Sequence, residues 1–193
     1  PEGVTDIKNR AFEDCSSLSN VILPNTLKNI DLYAFSSTAI SGELVIPDSV
    51  ESIGNSSFSH CKNISKVIIG NSLKTISETS SINYNAFVYC SNLKEFEVKS
   101  GNSYFSSQDG ILYSKDKSKL ILAPYGYEVN DLYIPNSVKE IGEYSFMSCS
   151  KIKGSLYLPE GLKSLGRGSF SGCGISGEVN IPSSVTSISY STF

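Results

Sequence analysis

Short apolar runs of alternating character recur along this chain, each ending at a proline or glycine: "NVILP", "ELVIP", "KVIIG", "DLYIP", "SLYLP" and "EVNIP". Alternation at period two predicts strands with one face buried. Val21 and Leu23, Leu44 and Ile46, Val67 and Ile69, Phe96 and Val98, Leu156 and Leu158, and Val179 and Ile181 are expected to point inward. A closing proline fits a strand end, where its missing N–H breaks no ladder bond. A second pattern, V-x-x-I, pairs Val50 with Ile53, Val138 with Ile141 and Leu162 with Leu165. It predicts a bend or a short second strand on an opposite wall. Between the two lies an [A/S]-F-x-x-C piece, too brief for a stable helix, where a turn or one turn of 3₁₀ is expected.

These pieces form a repeat. Units begin near residues 1, 24, 47, 70, 135, 159 and 182, and most are 23 residues long. Phe12, Phe35, Phe58, Phe87, Phe146, Phe170 and Phe193 mark the same slot in each. "ISGELVIP" (40–47) and "ISGEVNIP" (175–182) are the same return strand met twice. A unit this short cannot bury its apolar face alone, whereas stacked units bury a continuous core. The expected architecture is therefore a β-rich α/β repeat: one solenoid domain over 1–193 with a parallel sheet of return strands. Two inserts interrupt it. About six extra residues lie around "SETSSIN", between Ile76 and Ala86, and a longer stretch covers 99–131. In the latter, "GILYSKDKSKLILAP" reads as a β-hairpin turning at Lys115-Asp116-Lys117-Ser118 and projecting from the solenoid.

The skeleton, carried by "IPDSVESIGNSSFSHC" (46–61) and "IPNSVKEIGEYSFMSC" (134–149), resembles the BspA-like leucine-rich repeat. The insert "YFSSQDGILYSKDKSKLILAP" (104–124) resembles a hairpin insert of that family. The resemblance implies a right-handed solenoid and a surface-exposed or secreted adhesin-like protein that binds host matrix or other cell-surface proteins. Thr38 stands where the pattern has Cys, a substitution of similar size.

Charge and composition exclude more than they identify. A net charge of −3 without a Lys/Arg run gives no footprint for nucleic acid, and no apolar stretch is long enough for membrane insertion. The chain opens inside a unit on "PEGVTDI" and closes on an unfinished "STF", so it is expected to be a piece of a longer array, with self-association through the solenoid ends as another outcome. Cys15, Cys61, Cys90, Cys149 and Cys173 share one slot, without metal-site spacing. They are expected to form a ladder of free, buried thiols. His60, the only histidine, sits in an exposed turn slot that holds Asp14, Tyr89 or Ser148 elsewhere. No catalytic constellation, cofactor site or metal site is expected. Asn55 and Asn63 begin N-glycosylation sequons.

The outward strand positions are the candidate binding site: Ile22, Val45, Ile68, Glu97, Tyr133, Tyr157 and Asn180, bordered by Glu43, Lys66, Glu95, Asp131 and Glu178. A soluble sheet face ordinarily carries polar residues there. Aliphatic and aromatic anchors with a charged rim suit a protein-binding patch, although β-propensity alone also selects Ile, Val and Tyr. Three functions follow: a non-enzymatic binding module, an inert spacer holding another domain away from the cell surface, or an array attached to an enzyme domain outside this sequence.

Overall fold

The computed structural model describes residues 2–76 and 85–193. The extra residues around "SETSSIN" fall largely outside them. None of the described residues is helical, and the expected 3₁₀ piece is a turn throughout. Strands are numbered β1 to β15 in chain order.

The V-x-x-I pattern builds a wall of two-residue strands. In the first half it comprises β1 (Asp6–Ile7), β2 (Asn29–Ile30), β4 (Ser52–Ile53) and β6 (Thr75–Ile76), all parallel. Partners lie 23 residues apart, as in Ile7↔Ile30↔Ile53↔Ile76, so one isoleucine per turn enters the core. The return strands form the facing sheet: β3 (Ser41–Val45), β5 (Asn63–Ile69) and β7 (Glu95–Val98) before the long insert. After it come β11 (Leu132–Tyr133), β13 (Leu156–Tyr157) and β15 (Val179–Asn180). Both sheets are parallel.

Most inward positions are buried as expected, and Leu44, Ile46, Val67, Ile69, Phe96 and Leu156 have almost no exposure. Two places differ. The first unit's return segment forms no strand; it meets β3 through the Ser41 N–H, which donates to the Ser19 carbonyl at 3.2 Å. Ile181 is 36% exposed, because among the described residues no strand pairs with the far edge of β15.

The [A/S]-F-x-x-C turns stack as a third side. Phe12, Phe35, Phe58 and Phe87 lie ring on ring with centroids 5.1 to 5.3 Å apart, and Phe146, Phe170 and Phe193 repeat the stack in the second half. Such stacking adds about 0.5–1.5 kcal/mol per pair beyond burial. Alternate backbone N–H groups donate to the next turn: Phe35 to Ser57 and Ser37 to Ser59, then Phe58 to Ala86 and His60 to Val88. Intervening groups close the turn on itself, as Cys61 does to Phe58. Residues two before and two after the Phe hold positive φ, including Tyr33 (56°), Ser37 (60°) and His60 (58°).

The long insert does not project. It is a three-stranded antiparallel meander, β8 (Phe105–Gln108), β9 (Ile111–Ser114) and β10 (Lys119–Leu122), built into the wall. β10 pairs in parallel with β12 (Glu140–Ile141), which pairs with β14 (Ser164–Leu165). Leu120 thereby takes the wall isoleucine's place opposite Ile141. The Ala123 N–H donates to the Ser145 carbonyl as a Phe-slot residue would. The physical reason is burial: Phe105, Leu112 and Leu122 pack into the first core, and Ile111, Tyr113, Leu120 and Ala123 into the second. A projecting hairpin would leave those side chains in water. Asn102, 1% exposed, anchors the meander, its amide donating to the carbonyls of Gly70 (2.8 Å) and Leu73 (3.1 Å) and its oxygen accepting from the N–H groups of Tyr104 and Phe105 (both 2.8 Å).

Candidate functional site

Parallel register carries the outward positions of neighbouring strands into columns. On the first face, Val45, Ile68 and Glu97 lie side by side, as do Glu43, Lys66 and Glu95. Val45 is 48% exposed, Ile68 is half-buried, and the Lys66 ammonium pairs with both Glu95 (3.4 Å) and Glu97. Hydrogen bonding to Glu97 comes first among the causes that raise the Lys66 pKa. Ile22, 88% exposed, lies on the strandless segment and joins no ladder.

On the second face the column is Tyr133, Tyr157 and Asn180. The two rings stack with centroids 4.4 Å apart and planes 4° apart, yet Tyr133 remains 66% and Tyr157 41% exposed. Their neighbours on the N-terminal side are Asp131, Ser155 and Glu178, tied by the Ser155 N–H donating to Asp131 Oδ1 (2.8 Å) and the Glu178 N–H to Ser155 Oγ (3.1 Å). Among the described residues no ion pair involves Asp131 or Glu178. Partial desolvation raises the Tyr133 pKa, and Tyr157 and the Asp131 charge push the same way. The two faces do not run together. The meander intervenes, with Gly110 accepting the Phe96 N–H at the outer edge of β7.

The thiols follow the ladder only in part. Cys61, Cys90 and Cys149 are buried, Cys173 is half-buried, and Cys15 is exposed, contrary to the expectation of five buried thiols; it lies on the first turn, with a neighbouring turn on one side only. Each of the first three points its sulfur at a carbonyl of the preceding turn: Phe35 (3.1 Å), Phe58 (3.0 Å) and Pro124 (3.5 Å). Burial raises all three thiol pKa values, which suppresses thiolate chemistry. Thr38 fills the same slot, its hydroxyl donating to the Phe35 carbonyl at 3.0 Å. His60 is exposed and stacks on Tyr89 at 4.6 Å. Among the described residues no group of three His, Cys, Asp or Glu side chains could hold a metal ion. Among the described residues no helix is long and apolar enough to cross a membrane. Of the two sequon asparagines, Asn63 is exposed, but Asn55 is 5% exposed inside the turn stack. A glycan on Asn55 is incompatible with this packing.

The repeat profile described as the BspA type leucine rich repeat region matches six copies over residues 1–108 and 124–193. The chain belongs to this family. No curated protein sequence matches it significantly. Among solved structures it is similar to the pneumococcal vaccine antigen PcpA, with 27% identity, a TM-score of 0.74, and coverage of 96% of this chain and 50% of that one. A leucine-rich repeat protein from Eubacterium ventriosum gives 26%, 0.79, 98% and 54%. A leucine rich cell surface protein from Faecalibacterium prausnitzii, at 23% identity, TM-score 0.58, and coverage of 100% and 49%, shares the fold. The BspA-type chain thus spans about half the length of the solved relatives it matches.

Proposed function

We propose that this repeat region is a non-enzymatic protein-binding module of a surface-exposed or secreted, adhesin-like protein. Its ligand on this reading is an extracellular matrix or cell-surface protein. The observation that carries the reading is the exposed Tyr133–Tyr157 stack on a sheet face where polar residues would suffice for solubility. The Val45–Ile68 pair supports it from the other face. Family membership and the likeness to a vaccine antigen support a location outside the cell. Binding here is a shallow contact in which a few rigid aromatic anchors carry most of the affinity.

The test is a binding screen against matrix and cell-surface proteins, with wild type beside a Tyr133→Ser/Tyr157→Ser variant of matched thermal stability. A partner lost by the variant, with affinity down about tenfold or more, supports the sheet face as the adhesive site. A partner held equally by both moves the site elsewhere. Absence of any partner favours the spacer, for which charge reversal at Glu43 or Glu178 changes nothing.

A further inference from the structure

The two faces differ in how their carboxylates are compensated, and that difference specifies a ligand chemistry. On the first face a cation of the same columns, Lys66, pairs with both Glu95 and Glu97. On the second, Asp131 and Glu178 flank two exposed tyrosines and no cation pairs with either among the described residues. The lysines nearest along the chain, Lys139 to Asp131, Lys153 to Tyr157 and Lys163 to Glu178, make no ion pair among the described residues. Each ring of the stack covers one face of the other, so the open π-faces are the outer ones. The next layer beyond Tyr157 belongs to Asn180, an exposed side chain too short to supply a third ring.

Resting on the protein-binding reading above, we infer that the Tyr133–Tyr157 face receives an arginine-bearing segment of its partner protein, a guanidinium stacking on the Tyr157 ring within the field of Glu178 and Asp131. The quadrupole of a tyrosine ring attracts a cation over its face, and arginine adds planar stacking that lysine lacks. The same solenoid holds this contact internally twice: Arg10 lies 5.0 Å over the Tyr33 ring and Arg167 lies 5.4 Å over the Tyr190 ring. An aromatic stack with unpaired carboxylates at its border also selects against acidic segments, because burying like charges together is unfavourable.

The test uses the whole chain and synthetic alternating peptides of equal length: Arg-Gly, Lys-Gly, citrulline-Gly and Glu-Gly. The expected order is Arg-Gly tightest, Lys-Gly weaker, and the uncharged and acidic peptides unbound. Tyr133→Leu/Tyr157→Leu, which keeps apolar bulk and removes the rings, should weaken Arg-Gly about tenfold. Glu178→Gln should weaken it about threefold, and Glu43→Gln on the other face should leave it unchanged. Equal binding of arginine and citrulline peptides overturns the inference, as does equal loss at Glu43 and Glu178, which would mark generic attraction to an acidic protein. Retained affinity in the double leucine variant also overturns it. Should the protein screen yield a partner that depends on the tyrosines but is not displaced by Arg-Gly, the binding module stands and the arginine chemistry fails. If no partner and no peptide bind, both fail.

Discussion

The strand faces on either side of the meander share a backbone plan and differ in what that plan displays. Before the insert the outward columns are aliphatic and hold a lysine among their carboxylates; after it they are aromatic and acidic, with no cation paired to the carboxylates among the described residues. The wall itself is two sheets, β1-β2-β4-β6 and β14-β12-β10-β9-β8, and the meander joins the halves by packing side chains into both cores. One repeat plan can therefore support two chemically separate surfaces, since inward alternation fixes the fold and leaves outward positions free.

The comparison breaks most severely in the core. Phe58→Ala removes the middle ring of a stack and should cost about 3–5 kcal/mol, and Phe146→Ala about as much in the other half. Urea unfolding reads both; a loss under 1 kcal/mol at either site would mean that the stack is not what holds that half. Asn102→Ala removes a buried side chain with four hydrogen bonds and leaves the Gly70 and Leu73 carbonyls short of partners. A cost of about 2–4 kcal/mol is expected, concentrated in the first half. Hydrogen exchange should then show β6 opening before β12, and uniform loss across both halves would contradict this. Lys66→Met should change stability by no more than about 1 kcal/mol, as exposed pairs contribute little. It would nevertheless leave the carboxylates of the first face without a paired cation, as on the second. If the converted face then bound Arg-Gly peptide as well as the tyrosine face does, charge alone would explain recognition and the rings would be incidental.

The smallest effects concern titration and thiol access. Hydrogen bonds from Thr5, Asn29 and Lys8, in that order, hold the Asp6 carboxyl at about 2, below its ordinary 3.8. Depression means that the folded state favours the carboxylate. Its stabilisation is present above pH about 3.8 and disappears as pH falls through about 2. Thermal melts from pH 5 to 2 should therefore show wild type losing a small advantage over Asp6→Asn, and a constant difference across that range would exclude the linkage. In native protein, alkylation followed by mass spectrometry should modify Cys15 first, Cys173 more slowly, and Cys61, Cys90 and Cys149 only on unfolding. Early labelling of Cys90 would show that the turn stack opens locally.

Much of the fold could be read because the repeat is enforced by burial: a wrong residue at Phe35 or Ile30 leaves a hole in a core with no exposure. The meander was misread because its alternation looks the same whether the hairpin projects or packs into the wall. One available signal was Asp109-Gly110, whose φ values of 51° and 78° make the two-residue turn between β8 and β9. Asn102 gave no such signal, since a polar residue in a polar stretch reveals nothing of four buried partners. Asn55 shows the reverse, a motif legible in sequence and buried in the fold. At the candidate site, the Tyr133–Tyr157 column was legible from alternation, but the Lys66 bridge on the facing column required the register.

The left-handed turn residues carry one more consequence. Asp14, Ser37, His60, Tyr89, Ser148 and Gly172 occupy the same backbone conformation two residues after the Phe slot, and no two neighbouring turns agree on the side chain there. Where these positions bond to the next turn they do so through the main chain, His60 to Val88 and Ser148 to Ser171. Apart from the His60–Tyr89 stack, the turn-to-turn bonds leave the choice of side chain open. That edge of the molecule is in effect a printing surface, with type that can be reset turn by turn while the press stays unchanged. Diversifying those positions together, with Asn and Gly included to suit the conformation, should yield folded libraries at high frequency.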